Sequence, residues 1–198
     1  MWVSSSSAGK RTGLILAATL AFVFFLPFFA PVESALAAVG EPIKVPSSLA
    51  VRKPLLPPPR GIAELRFRDI YRNPIGPRGL ELSEQVLALD GKRVRIVGFM
   101  VAQEPSTPGV FMFAPVPSAI SEDDEGLADD LPPSTLFVHL PLASELIVPN
   151  LPGLIQLSGT LSVGARSEAI SGRVSSIRLL LDKGPTRSLR KLSRRYAR

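Results

Sequence analysis

Cysteine is absent from this chain of 198 residues, and histidine occurs only once. A chain without cysteine has no disulfide, no thiolate zinc site, no cysteine nucleophile and no lipid-anchoring thiol. A single histidine makes a histidine-rich metal site hard to assemble and limits acid/base mechanisms that need several imidazoles. The sequence also has no Gly-rich phosphate loop and no G-x-S-x-G nucleophile motif. Few enzyme classes remain.

Hydrophobic residues make up 45% of the chain, and many of them lie in one block near the N-terminus. Lys10 and Arg11 precede 21 uncharged residues, Thr12 to Val32. Ala35 and Ala37 then occupy the two small-residue positions that a signal peptidase reads. This order of a positive region, an apolar region and an A-x-A site predicts a signal peptide that is cleaved after the second alanine.

An uncleaved membrane anchor is the alternative interpretation of residues 1–37. The 21 uncharged residues would span roughly 30 Å as a helix, the thickness of a bilayer core. Pro27 and Pro31 favour cleavage, because they break a helix just before the alanines. In both cases the positive residues hold the N-terminus inside the cell. The protein is therefore expected to be exported, either periplasmic or anchored in the inner membrane and facing the periplasm.

The rest of the chain divides into three parts by composition. Residues 38–60 contain six prolines and no sustained period, which predicts an extended linker. Residues 61–182 hold the segments with strand patterns. Residues 183–198 contain seven Lys or Arg and no acid, which leaves a charge of −2 on residues 38–182 although the whole chain carries +6. The basicity of the protein is thus concentrated in a C-terminal tail.

Five apolar or alternating segments in the central part are typical of β-strands. Ser83 can cap a short helix before them, and Gly98 inside the first of them suggests a bulge. This pattern predicts a mainly β domain, either a small barrel or a sandwich. The five segments are Val94–Ala102, Val110–Val116, Leu136–Leu140, Ile155–Val163 and Val174–Asp182.

Residues from about Leu89 to Asp182 resemble a bacterial domain of unknown function that occurs in exported envelope proteins, often lipoproteins of Gram-negative bacteria. The resemblance implies a small five-stranded barrel similar to an oligonucleotide/oligosaccharide-binding (OB) fold. The connecting loop of that family usually carries a cysteine and an asparagine around its prolines, whereas this loop has no cysteine and has Thr135 near the asparagine position. No family activity can therefore be carried across. The matching segments are LDGKRVRIVGFMV (Leu89–Val101), Phe111–Pro115, Leu131–Pro133, Leu136–His139 and GTLSVG (Gly159–Gly164).

A loop from Glu122 to Asp130 has six carboxylates in nine residues. Hard cations such as Ca²⁺ prefer carboxylate oxygens, but the spacing is not that of an EF-hand loop. A solvated surface loop is therefore the favoured interpretation, and a cation site is a weak alternative. The candidate ligands would be Asp123, Asp124, Glu125, Asp129 and Asp130.

His139 lies in a predicted strand in which it shares one face with Phe137. A lone histidine without a cysteine partner is more commonly a cross-strand residue than a catalytic base. Ser158 precedes a glycine but lacks the elbow motif of a hydrolase. The sequence therefore predicts no catalytic residue and no cofactor.

The basic tail becomes amphipathic if it is helical, because Leu189, Leu192 and Tyr196 then fall on one side. A segment of this kind can lie on an anionic surface, although a disordered solubilising terminus is an equally open alternative. Export makes nucleic acid an unexpected partner. The residues expected to contact an anionic surface are Arg187, Arg190, Lys191, Arg194, Arg195 and Arg198.

Together these features predict a non-enzymatic exported module that binds another envelope component or an anionic membrane surface. Two alternatives stay open from the sequence. One is a metal-dependent hydrolase that uses the acidic loop and His139. The other is an OB-like domain that binds an oligonucleotide or glycan, which would need exposed aromatic side chains for stacking.

Overall fold

Eight strands, two α-helices and one short 3-10 helix (Phe67–Asp69) lie in the residues that the computed structural model describes, which are 43–121, 131–168 and 172–196. The mainly β fold class is confirmed. The α-helices are α1 (Glu84–Leu87) and α2 (Lys183–Tyr196). The strands are β1 (Ala63–Glu64), β2 (Arg93–Met100), β3 (Ala102–Glu104), β4 (Val110–Ala114), β5 (Ala119–Ser121), β6 (Leu136–His139), β7 (Leu154–Ser167) and β8 (Val174–Leu181).

The chain divides into two compact units, residues 1–40 and 41–198, and all of the described residues belong to the second unit. The predicted signal segment, with Ala35 and Ala37, lies outside the described residues. Its cleavage or retention as an anchor therefore stays a prediction.

The main sheet has the strand order β1-β2-β4-β6-β8-β7. β7 also pairs with β2, in a register that runs without interruption from Arg93↔Thr160 to Phe99↔Leu154. The β1–β2 and β6–β8 pairs are parallel, and the other pairs of this sheet are antiparallel. The hydrogen-bonded pairs thus form a closed circuit of five strands: β2, β4, β6, β8 and β7.

Alternation along each strand separates an inner face from an outer face. On β6, Leu136 and Val138 join the main core, and Phe137 joins a smaller cluster on the other face. On β8, Ile177, Leu179 and Leu181 point inward. The predicted facing of Phe137 with His139 agrees with this pattern. The inner face of the circuit is therefore the hydrophobic core.

The cap of helix α1 and the close packing at Gly98 can each be compared with the sequence-based prediction. The side chain of Ser83 accepts a hydrogen bond from the backbone N–H of Val86 at 3.2 Å and so caps α1, as the sequence predicts. Gly98 pairs with Ile155 without a register shift, so the β2–β7 ladder has no bulge there. A Cβ atom at this glycine would lie 2.5 Å from Cε2 of Phe67. The absence of a side chain at Gly98 leaves room for the ring of Phe67.

The packed body begins earlier than residue 61. Leu49 is completely buried and belongs to the main core, against which Ile43 and Val45 also pack. Ala50 forms an antiparallel bridge with Ile155. Part of the predicted linker of residues 38–60 therefore packs against the sheet, because its few apolar side chains can be buried there.

Candidate functional site

A cavity of about 430 Å³ opens on the outer face of the sheet. The strand register aligns Val110 of β4, His139 of β6 and Leu180 of β8 in one row across three strands. Ser162 and Arg178, which pair across β7 and β8, lie on the same face beside that row. The cavity size is within the range of small-molecule sites.

Arg178 is a buried cation in the wall of this cavity, with 6% of its surface exposed. Its Nη1 donates to the carbonyl oxygens of Gly164 (2.8 Å) and Ser175 (3.0 Å) and to Ser175 Oγ (2.9 Å), and Nη2 donates to Ser162 Oγ (3.2 Å). A buried charge is expensive unless it is paired or hydrogen-bonded. These bonds hold the guanidinium in one place.

A bulge in β7 positions the Gly164 carbonyl for this contact. The β7–β8 register shifts between Val163 and Arg166, and Gly164 has a φ of 119°. This φ is strained for a side chain with a Cβ atom. The glycine therefore allows the strand to bend around Arg178, as bulges commonly re-aim neighbouring groups.

Glu168 is the counter-charge in the same wall and is 7% exposed. Its Oε1 accepts a hydrogen bond from the Ser175 hydroxyl. Its Oε2 lies 3.1 Å from His139 Nε2, which is an ion-pair distance if the imidazole is protonated. This Nε2 atom is buried and does not have hydrogen-bond geometry to any partner in the described residues. Arg178, Ser175, Glu168 and His139 thus form one connected polar group.

Sequence reasoning missed three of these four side chains: Ser175, Arg178 and Glu168. Arg178 is a charge inside the apolar run Ile177–Leu181, and Glu168 is the only acid between Glu145 and Asp182. An isolated acid just after one strand and an isolated base inside the neighbouring strand are a usable signal for a buried pair. The bulge that brings them together could not be read from the sequence.

The second surface is formed by α2, which packs on the body through its apolar side. Leu189 is completely buried and Leu192 is 9% exposed, and both belong to the main core. Ser193 Oγ donates to the Ile147 carbonyl oxygen at 2.7 Å, and Arg190 donates to that of Leu142. The predicted amphipathic helix therefore exists, but its apolar side is covered by the protein itself.

The start of α2 is fixed by Asp182, the residue before the helix. Its carbonyl oxygen accepts hydrogen bonds from the N–H and the hydroxyl of Thr186, at 3.1 and 2.8 Å. Its carboxylate pairs with Arg93 Nη2 at 2.7 Å. The hydrogen bond and the negative charge of Asp182 raise the pKa of Arg93. An acid at a helix N-terminus also interacts favourably with the helix dipole.

The opposite side of α2 carries an exposed row of cations. Lys183, Arg187, Lys191 and Arg194 are exposed and are spaced by four, four and three residues. They therefore project from roughly a quarter of the helix circumference. We call these four residues the cationic row. From Lys183 to Arg194 the row extends over about 17 Å of the helix.

Of the residues predicted to contact an anionic surface, Arg187, Lys191 and Arg194 belong to the cationic row. Arg195 is exposed beside it, whereas Arg190 is half-buried and bound to the body. Arg198 lies outside the described residues. Lys183 was not among the predicted contacts, although its spacing from Arg187 is the signal that identifies it.

The predicted cation ligands Asp123, Asp124, Glu125, Asp129 and Asp130 lie outside the described residues. Within the described ranges no group of three or more His, Asp or Glu side chains could hold a metal ion, and no helix there is long and apolar enough to cross a membrane. All seven aromatic side chains in those ranges are buried or half-buried. The alternative of an oligonucleotide- or glycan-binding domain, which needs exposed aromatic side chains, stays a prediction.

The fold and these two surfaces define a mainly β protein with a polar cavity and a docked basic helix. No protein-family model and no curated protein matches the chain. A DUF3299 family protein from Pseudomonas aeruginosa PAO1 has a similar crystal structure, with 14% sequence identity and a TM-score of 0.38 over 62% of this chain and 93% of that chain. This structural neighbour belongs to a family of unknown function. A similarity of this size does not indicate the activity or the location of the present chain.

Proposed function

We propose that this protein is an exported, non-enzymatic binding module of the cell envelope that attaches to an anionic surface through α2. The strands form a closed circuit, β2-β4-β6-β8-β7. In this circuit β6 and β8, the third and the last strand along the chain, pair in parallel. This arrangement supports an OB-like barrel as the scaffold. The N-terminal sequence pattern supports export. The cationic row supports the choice of an anionic partner.

The observation that carries the proposal is the fixed orientation of α2. Its apolar side is held in the core by Leu189 and Leu192, so the cationic row is presented outward without further ordering of the helix. Pre-ordered groups lose less entropy on binding. Each basic residue near an anionic membrane contributes about 1 kcal/mol, so four such residues supply about 4 kcal/mol of electrostatic attraction.

A vesicle-sedimentation experiment tests this attachment. The protein beginning at Ala38 is mixed with vesicles of phosphatidylcholine that contain either 30% or no anionic lipid. We expect binding only to the anionic vesicles, with a loss of affinity as salt rises, because surface charges are screened. The triple variant Arg187→Gln/Lys191→Gln/Arg194→Gln should bind about 100-fold more weakly, the equivalent of about 3 kcal/mol.

The matched control removes three exposed cations elsewhere on the body: Arg52→Gln/Lys53→Gln/Arg60→Gln. This control has the same net charge as the α2 variant, so equal losses in both would reduce the effect to net charge and contradict a specific surface. Binding of the wild type to vesicles without anionic lipid would also contradict it. Export is tested separately by cell fractionation and N-terminal sequencing, where a start at Ala38 is expected.

A further inference from the structure

The outer-face cavity is a different surface from the cationic row and has its own chemistry. Its polar end holds two cations, Arg166 and Arg178, and one carboxylate, Glu168. Apart from the imidazole of His139, the side chains of the lining carry a net charge of +1. A ligand with a single negative charge would balance this wall, whereas a cation would be repelled.

Arg178 and Glu168 are already committed to each other through Ser175. The Ser175 hydroxyl accepts from Arg178 Nη1 and donates to Glu168 Oε1. Arg166, in contrast, is exposed, and its guanidinium has no hydrogen-bond or ion-pair partner among the described residues. The unbalanced positive charge of the lining therefore resides on Arg166, at the rim.

The other end of the cavity is apolar. Leu180 is 39% exposed, although it lies in the middle of the sheet. Val110 and Pro141 also line the cavity, and the strand register places His139 between Val110 and Leu180. Binding an apolar group here would remove exposed hydrocarbon from water, which is favourable by about 25 cal/mol per Å².

We propose that this cavity binds a small organic monoanion, with its carboxylate at Arg166 and its hydrocarbon body against Leu180 and Val110. The fixed Arg178–Ser175–Glu168 group forms a rigid polar floor, and His139 supplies a further hydrogen-bonding side chain beside it. The proposal does not depend on α2 or on attachment to an envelope surface.

Benzoate is a suitable probe because it has one carboxylate and one compact apolar body. Titration of the protein is followed by two-dimensional amide NMR, with benzamide as the neutral isostere and inorganic phosphate as the anion without hydrocarbon. We expect benzoate to shift the amide signals of Val110, His139 and Leu180 with a saturating curve. Benzamide and phosphate should bind at least about tenfold more weakly, because each lacks one of the two interactions.

Two substitutions separate the charge from the apolar contact. Arg166→Gln should weaken benzoate binding about tenfold, and Arg166→Lys should restore part of the affinity, because it keeps the charge without the planar fork. Leu180→Ala should weaken benzoate and leave the phosphate affinity unchanged. The control is Arg68→Gln, which removes an exposed cation, 73% accessible, outside the cavity.

The proposal is overturned if benzoate produces no saturating shift, or if Arg166→Gln and Arg68→Gln weaken its binding equally. It is also overturned if phosphate or benzamide binds as tightly as benzoate. Vesicle binding by Arg166→Gln should equal that of the wild type. A failure at the cavity is therefore distinguishable from a failure of the proposed attachment.

Discussion

At Gly159 of β7 the backbone of β8 leaves no room for a Cβ atom. A Cβ atom at this position would overlap the carbonyl oxygen of Leu180. It would also lie only 2.9 Å from the carbonyl carbon of Leu180 and 3.0 Å from Cγ of Leu179. The obstacle is backbone in the middle of a paired strand, so it cannot move without disturbing the register of the sheet. This residue therefore has a steric role that its position in a strand pattern only hints at.

We expect Gly159→Ala to lower the free energy of unfolding by about 1–3 kcal/mol, the usual cost of an added methyl group in packed structure. Urea denaturation followed by circular dichroism measures this change. Gly184→Ala in α2 is the matched control, because a Cβ atom there has nothing within 4 Å. The control should be neutral or stabilising by up to about 1 kcal/mol. Equal destabilisation of both variants would contradict the steric explanation.

The side chains that line the cavity differ in how far the sequence predicts them. His139 was correctly placed on the face of Phe137, because alternation along a strand needs only local spacing. The contact between His139 and Glu168 joins the end of β6 to the end of β7, 29 residues apart in the sequence. That contact depends on the bulge at Gly164 and on which strands are neighbours. Neither is contained in the local pattern.

At the scale of the element, α2 shows the limit of an amphipathic pattern. The spacing of Leu189 and Leu192 correctly indicates an apolar helix side, but an apolar side can be covered by lipid, by a partner or by the same chain. Here the protein's own core covers it, and Arg190 and Ser193 bond to loop carbonyls. The helix is therefore part of the folded domain, and only its cationic row is presented for attachment.

We expect Leu189→Ala to destabilise the protein by about 2–5 kcal/mol, because it removes a completely buried side chain and leaves a cavity. Lys191→Ala, an exposed substitution on the same helix, should change stability by no more than about 0.5 kcal/mol. Chemical denaturation of the two variants gives both values. If Leu189→Ala had no effect, the helix would not be docked in solution, and the outward presentation of the cationic row would fail with it.

At the scale of the whole molecule, two long-range contacts complete the core. The β2–β7 pairing closes the strand circuit, and residues 43–50 cover one part of it. The sequence predicted the five strands of the circuit but not their pairing order, because strand order depends on the chain's long-range topology. It also assigned residues 38–60 to a linker, because the high proline content dominates the composition of this segment and hides the few apolar side chains that are buried. Leu49 is the completely buried one.

The role of residues 43–50 can be measured by shortening the protein. A chain of residues 43–198 should unfold at the same urea concentration as the chain 38–198. The free energy of unfolding of the chain 61–198 should be lower by about 2–5 kcal/mol or more, because this chain lacks the completely buried Leu49 and the bridge from Ala50 to Ile155.

The substitution Leu49→Ala should lower the free energy of unfolding of the longer chain by an amount in the same range. Leu56→Ala is its control, because that side chain is 62% exposed and its truncation should cost no more than about 0.5 kcal/mol. Equal stability of the chains 43–198 and 61–198 would mean that residues 43–60 are a linker throughout, as their composition alone predicts.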